Sequence, residues 1–541
     1  MKRIIYITFA FFVLTACEDF MEEPVNDFFT VEMALSDPGS TAALVEGVKK
    51  SFAAYDYYNA QMFQVLGFNS GVTGRRAGAN SSRALAQLIQ SANTTWVDKP
   101  YSACYSGIAS ANLIIAAANP ESESKSERHA LGLSMFARAV HYFNLVRLYG
   151  RVPLITTAFD YEAGDSATPR AENIGLIHDQ IESDLKQAFE LMYDSPSESG
   201  SPFDETTPSR WVAKAFLAKL YLNKASKSSQ VADWTKARDY ALEVIGCGKY
   251  SLVDNYADLF NLNTEFTSES IFELAFASAP GAGSAMSNIL APWKHEKSAG
   301  KGSWGRIIVL RESYDRMEAA CNGVADARME IGITTRWPQL GGDICVSYPR
   351  KAKEVVDEVA ANKFSPYPAI AKWIDPNGLD NNTAGNNYIV TRLAEMYLIA
   401  AEAENEINGP TLTACGYLNE TINRSISTKD NGGIQPVAPA DFADKDAFFN
   451  RVMDERLLEL IGELHSWFDV RRRGIDYFRK ICVAHNDRLD LAKTEKLFKS
   501  ATDEYFPVDD ASLTRNLLLP IPSTEINNNP AINPEDQNPG Y

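Results

Sequence analysis

Glu455, Glu459 and Glu463 recur at four-residue spacing, with Arg456 beside them and Asp469, Arg471, Arg472 and Arg473 just downstream. Carboxylates this close raise the question of glycoside hydrolysis, in which one acid protonates a leaving group and a second acts as nucleophile or base. Two such acids usually come from different elements flanking a cleft. Residues at i, i+4 and i+8 instead share one face of one helix. The adjacent arginines supply counter-charges, so the pattern predicts an ion-pair network that fixes helix packing. Other catalytic signatures fail. His129, His141, His178, His295, His465 and His485 contain no H-x-x-x-H pair. Ser303 sits in a near match to a nucleophile elbow, but Lys301 replaces its first glycine. Asp375 to Asn382 resembles a calcium loop, yet Gly378 comes too early and no glutamate closes it. A solvated turn is expected there. No phosphate loop or dinucleotide fingerprint is present. The expectation is no catalytic residue, no metal and no cofactor.

Recognition without turnover needs other side chains. A sugar ring has an apolar C–H face that stacks on Trp or Tyr, and a hydroxyl rim that Asn, Asp, Arg or Lys can hydrogen-bond. Trp293, Trp304, Trp337 and Tyr348 lie in a central stretch, residues 278–390, rich in Gly, Pro, Asn and Trp. They are expected to line a binding platform, against the competing expectation that each aromatic is core. The segment Asn69 to Ser82 is a second candidate. Its Gly71, Gly74 and Gly78 permit an open excursion, and Arg75, Arg76 and Asn80 offer polar contacts.

Amphipathic helices must carry these loops. Phe136, Ala139, Val140 and Phe143 fall at i, i+3, i+4, i+7, as do Ala213, Phe216, Leu217 and Leu220. The same spacing recurs from Ala237 to Val244, from Leu393 to Ala400 and from Leu457 to Leu464. Thr207 and Pro208 read as N-cap and first residue of the second of these helices. Small and aromatic residues in the stripes suggest tetratricopeptide-like helix pairs. The Pro-rich end, Leu519 to Tyr541, reads on composition alone as a disordered tail.

Lys2 and Arg3 precede an apolar run that ends in Leu14-Thr15-Ala16-Cys17. A basic start, a short apolar stretch and small residues before the cut make an expected secretory signal, residues 1–16. The pattern resembles a lipobox, which implies lipid on Cys17 and a tether over residues 17–30. Formal charge is −18 for 541 residues. Loss of Lys2 and Arg3 would make it −20, since the first 16 residues contain no acid. Such a surface repels nucleic acid. Cys104, Cys247, Cys321, Cys345, Cys415 and Cys482 are scattered, without a C-x-x-C pair.

Several blocks together resemble the SusD/RagB family of nutrient-binding outer-membrane lipoproteins. They are Asp454-Glu455-Arg456 through Gly462-Glu463 and Trp467 to Arg472, Arg392 to Ala403, and the tail Leu519 to Pro522 with Asn529-Pro530 and Asn538 to Tyr541. Arg138 to Phe143, Leu148 to Leu154, Trp96 with Tyr105 and Asn112, and Ser268 to Glu273 fit further blocks. The resemblance implies a mainly α fold, with tetratricopeptide-like pairs as scaffold (31–277), a loop-rich small-sheet ligand region (278–390) and C-terminal helices with an ordered Pro-rich tail (391–541). It leaves Trp96 and Trp373 in the framework. It implies capture of an oligosaccharide or polysaccharide and delivery to a SusC-like TonB-dependent transporter, from a lipid-anchored position on the outer membrane. Peptide capture within the family is the alternative. A surface glycan-degrading enzyme is the remoter one.

Overall fold

The computed structural model describes residues 30–76, 83–159, 167–198, 200–298, 302–349, 364–427, 435–494 and 504–541. Cys17 and Asn80 lie outside them. The helix Lys125–Tyr149 is the hub of the N-terminal half. Ser124 Oγ accepts the Glu127 N–H at its start, and Gly150, at φ +71°, ends it. Phe136, Ala139, Val140 and Phe143 are all buried in it. The helices Pro38–Phe52, Asp98–Ala117 and Ile174–Leu191 pack around it. Trp211–Ser228 and Val231–Gly246 form the next pair, and Leu393–Asn408 packs on the latter. Thr207 and Pro208 do not start this helix. It begins at Trp211, whose N–H is accepted by Ser209 Oγ at 3.3 Å.

Between the two helical halves the chain leaves and returns through a ribbon. Strand Ser270–Leu274 pairs antiparallel with Tyr388–Arg392, from Ser270 opposite Arg392 to Leu274 opposite Tyr388. The intervening stretch carries a four-stranded sheet in the order Thr73–Arg75, Ile307–Val309, Ala369–Ile370, Ile333–Thr334. Its first strand comes from the N-terminal half, so the central region is stitched to the scaffold by backbone hydrogen bonds.

The acid stripe sits at this junction. Glu455 and Glu459 lie on the helix Lys445–Leu460, but Glu463 lies beyond it. Gly462, at φ +80°, turns the chain there. All three acids are buried and paired. Arg392 bonds Glu269 at 2.7 Å, Glu459 at 2.5 Å and Glu463 at 2.9 Å. Arg424 reaches Glu269 and Glu459, Arg328 reaches Glu455 and Glu459, and Lys372 reaches Glu463 at 2.6 Å. Burial alone would raise the Glu459 carboxyl. The guanidiniums of Arg424, Arg392 and Arg328 outweigh it and hold the carboxyl well below its usual range. Asp375 is also interior, not solvated: its carboxylate accepts from Ser278 Oγ, Asn377 N and Gly385 N.

The Pro-rich tail packs back on the body. Leu519 N donates to Leu148 O at 2.7 Å, and Asn538 Nδ2 to Tyr149 O at 2.8 Å. Gln90 Nε2 donates to the Tyr541 hydroxyl at 2.6 Å. The six described cysteines are free. No described helix is long and apolar enough to cross a membrane.

Candidate functional site

Two strands bring two arginines side by side. Thr73–Arg75 pairs antiparallel with Ile307–Val309, and beyond the last pair Arg76 N donates to Arg306 O at 2.8 Å. The approach to Arg306 is fixed by Asn288, whose carbonyl accepts from Trp304 N and Gly305 N while its side chain accepts again from Trp304 N. Gly305 has φ +50°, and a Cβ there would stand 2.5 Å from the backbone nitrogen of Trp293. Only glycine lets the Trp293 and Trp304 segments approach this closely.

Both indoles are half-buried, and each carries a cation. The Arg76 guanidinium lies 4.8 Å from the Trp293 ring centroid, and its Nε donates to the carbonyls of Trp304 and Gly305 at 3.1 and 3.2 Å. Lys294, exposed, approaches the same ring at 4.9 Å. Arg306 lies 4.2 Å from the Trp304 centroid and 5.9 Å from that of Trp96, and donates to Gln64 Oε1 at 2.5 Å. Trp96 holds φ +75°, a conformation that costs a bulky side chain energy and points to a local constraint. Burial lowers the affinity of Arg76 for its proton, and the charge of Arg306 lowers it further. Burial does the same at Arg306, partly offset by Tyr55.

The expected site residues divide. Trp293, Trp304 and Arg76 come together at this surface. Trp337 is only 3% exposed and packs with Cys345 and Ala369, its indole N–H bonded to Trp293 O at 3.0 Å. It stands behind the surface, as a support. Tyr348 is buried elsewhere, bonded to Asp315 at 2.5 Å and Arg488 at 2.6 Å. Arg75 is buried against Glu504 at 2.6 Å, because it is in the strand while Arg76 has left it. Arg306 and Trp96 join the site without having been expected there. The sequence offered nothing that singled out Arg306, and it left Trp96 in the framework.

A separate cavity of about 410 Å³ is lined in part by Asp194, Lys249, Glu265, Phe266 and Glu273. Burial, with like charge from Glu273 and Asp375, pushes the Glu265 carboxyl up to about 7. Glu265 accepts from Asn387 N and Glu273 from Asn387 Nδ2, so both acids brace the neck ribbon. Among the described residues no His, Cys, Asp and Glu group is arranged to hold a metal.

Comparison with known proteins now bears on this arrangement. Residues 346–541 match the model of the SusD family, and residues 40–222 match that of a family described as starch-binding associating with outer membrane. The chain belongs to the SusD/RagB family. It is 26% identical over 561 residues to SusD-like protein P2 of Formosa agariphila, covering 99% of each chain. Its backbone is similar to a SusD homolog from Bacteroides thetaiotaomicron, with a TM-score of 0.77, 18% identity, and coverage of 94% of this chain and 98% of that one. A laminarin-binding SusD-like protein superposes with a TM-score of 0.64 at 22% identity, over 93% of this chain and 99% of that one. These likenesses establish the mainly α, tetratricopeptide-like SusD fold.

Proposed function

We propose that this SusD-family chain captures oligosaccharide or polysaccharide at the surface formed by Trp293, Trp304, Trp96, Arg76 and Arg306. It performs no chemistry on the glycan and hands it to a SusC-like TonB-dependent transporter. The observation that carries the site is the convergence of half-exposed indoles and hydrogen-bond donors on one rigid strand end. Indole surface buries sugar C–H groups, and preformed donors meet the hydroxyl rim at little ordering cost. The laminarin-binding neighbour supports a glycan as the ligand class. The pairing of Glu455, Glu459 and Glu463 with arginines supports binding over hydrolysis, since their charge is already spent on packing.

Anchoring is part of the same proposal. Cys17 carries lipid and holds the domain at the outer membrane, and the family description places relatives in association with that membrane. The test is calorimetry of the purified chain against a glycan panel, with Trp293→Ala and Trp304→Ala variants of unchanged melting temperature. Weakened binding in both supports the site. Parental affinity in both removes it. Turnover of any bound glycan would overturn the binding-only reading. For the anchor, Cys17→Ala should release the exported protein from the membrane fraction.

A further inference from the structure

We propose that the glycan this surface takes is anionic, bearing uronate carboxylates or sulfate esters, and that Arg76 and Arg306 read its charge. The inference rests on the binding reading above and narrows its substrate class. Its first support is the cost of the arrangement. Two like charges are held side by side, half out of water, each stacked on an indole. A site for neutral hydroxyls could use amides, which avoid the cost of desolvating and crowding charge.

The second support is what the arginines lack. The chain has 70 acids against 52 lysines and arginines. Of its interior arginines, Arg328, Arg392, Arg424 and Arg472 are paired with carboxylates, and buried Arg471 has its donors taken by the oxygens of Asn69, Ser70 and Asn516. Among the described residues, no carboxylate pairs with Arg76 or Arg306. Nη1 and Nη2 of Arg76, and Nε and Nη2 of Arg306, have no protein acceptor there. Asp56, next to Tyr55, is held by Lys99 at 3.4 Å. Glu296 is exposed and pairs with neither arginine. In sequence, the stretches 77–82 and 299–301 that follow and precede these segments contain no acid. Exposed Lys294 completes the cationic side of the site. An unpaired planar guanidinium fork matches a carboxylate or sulfate through two parallel N–H···O bonds.

Calorimetry of the purified chain decides the matter with three probes: an oligogalacturonate, a sulfated carrageenan oligosaccharide and a neutral laminarin oligosaccharide. We expect one of the two anionic probes to bind more tightly than laminarin, and to weaken as salt rises. Whichever it is identifies carboxylate or sulfate as the group read. Arg76→Gln and Arg306→Gln should each weaken that binding roughly ten- to a hundredfold, the range for hydrogen bonds to charged groups. Arg306→Lys should recover part of it by restoring charge without the fork. Melting temperatures guard against misfolding. Laminarin bound best, and equally by parent and both Gln variants, would overturn this inference while leaving glycan capture intact. Anionic binding that survives both Gln substitutions would overturn it as well. Failure to bind any probe, neutral or anionic, would remove the binding reading along with it.

Discussion

Trp337 donates its indole N–H to the backbone carbonyl of Trp293 at 3.0 Å. A buried tryptophan thus sets the height of a half-exposed one, with Gln339 Nε2 sharing the same carbonyl at 3.1 Å. Trp337→Phe keeps most of the volume and removes the donor. It should cost about 1 kcal/mol of stability, the net worth of one such bond. It should weaken glycan binding more than that loss suggests, because Trp293 is freed to shift. Paired melting and calorimetric measurements check this. A variant with parental affinity would mean that Trp293 is positioned by other contacts.

Gly305 is the tightest point of the site. Alanine there would press on Trp293 N at 2.5 Å and on its Cα at 2.7 Å, at a φ of +50°. Both neighbours are backbone, which cannot swing aside. Gly305→Ala should leave a folded protein with displaced Trp293 and Trp304 and at least tenfold weaker ligand affinity, since the helical core lies elsewhere. Far-ultraviolet circular dichroism and a binding isotherm would check both halves of that expectation.

Arg392 is the hub of the buried charge network, and its loss should be felt as unfolding. Arg392→Ala would leave Glu269, Glu459 and Glu463 short of a counter-charge in a dry interior. Breaking a buried pair costs about 3–5 kcal/mol. Chemical denaturation should show a loss of this order, or no soluble protein. A loss below 1 kcal/mol would show that Arg424, Arg328 and Lys372 suffice alone.

The dependence of stability on pH should be steep on the acid side. Burial pulls both His129 and His141 down to about 3, from an ordinary value of 6.5. Below pH 6.5 the unfolded chain binds protons at these rings and the folded chain does not. Each ring therefore removes about 1.4 kcal/mol of stability per pH unit between 6.5 and 3. Glu265 works against them. Its folded value of about 7 exceeds its ordinary 4.5, so it favours the fold at acid pH and loses that contribution as pH rises through 7. Glu459 and Glu463, depressed by arginine and lysine, remove further stability as pH falls below about 4.5. Melting temperature should fall from pH 6.5 downward, and Glu265→Gln should raise it at pH 8. A flat profile between pH 7 and 5 would contradict the burial of both histidines.

Much of the scaffold was legible because helical stripes and charge spacing are local signals. Glu455 and Glu459 beside arginines announced an ion-pair network, and a network exists, but cations from other segments, Arg328, Arg392, Arg424 and Lys372, hold the acid stripe. Neighbouring Arg456 and Arg472 pair instead with Asp469 and Glu402. What defeated the reading was local backbone choice. Gly462 breaks the stripe that ran on to Leu464, and the helix expected to start at Thr207 and Pro208 starts only at Trp211, with Arg210 before it and no side-chain cap. The candidate site was half legible. Trp293, Trp304 and Trp337 look alike in composition. Only the pairing of the strand Arg336–Pro338 with Ile344–Ser347 decides that Trp337 is inside. Arg306 could not be found without the strand register that places it beside Arg76, more than two hundred residues away in the chain.

The tail contacts set a clock on assembly. Asn538 reaches Tyr149 across 389 positions, and Tyr541 reaches Gln90 across 451. At about 5–20 residues per second, the final partners emerge roughly 20–90 s after the helices they cover. Throughout that interval Leu148 and Tyr149 of the N-terminal layer lack their tail partners, and these long-range contacts form after the local ones. The seam between the tail and the N-terminal layer is therefore the last part of this fold to close.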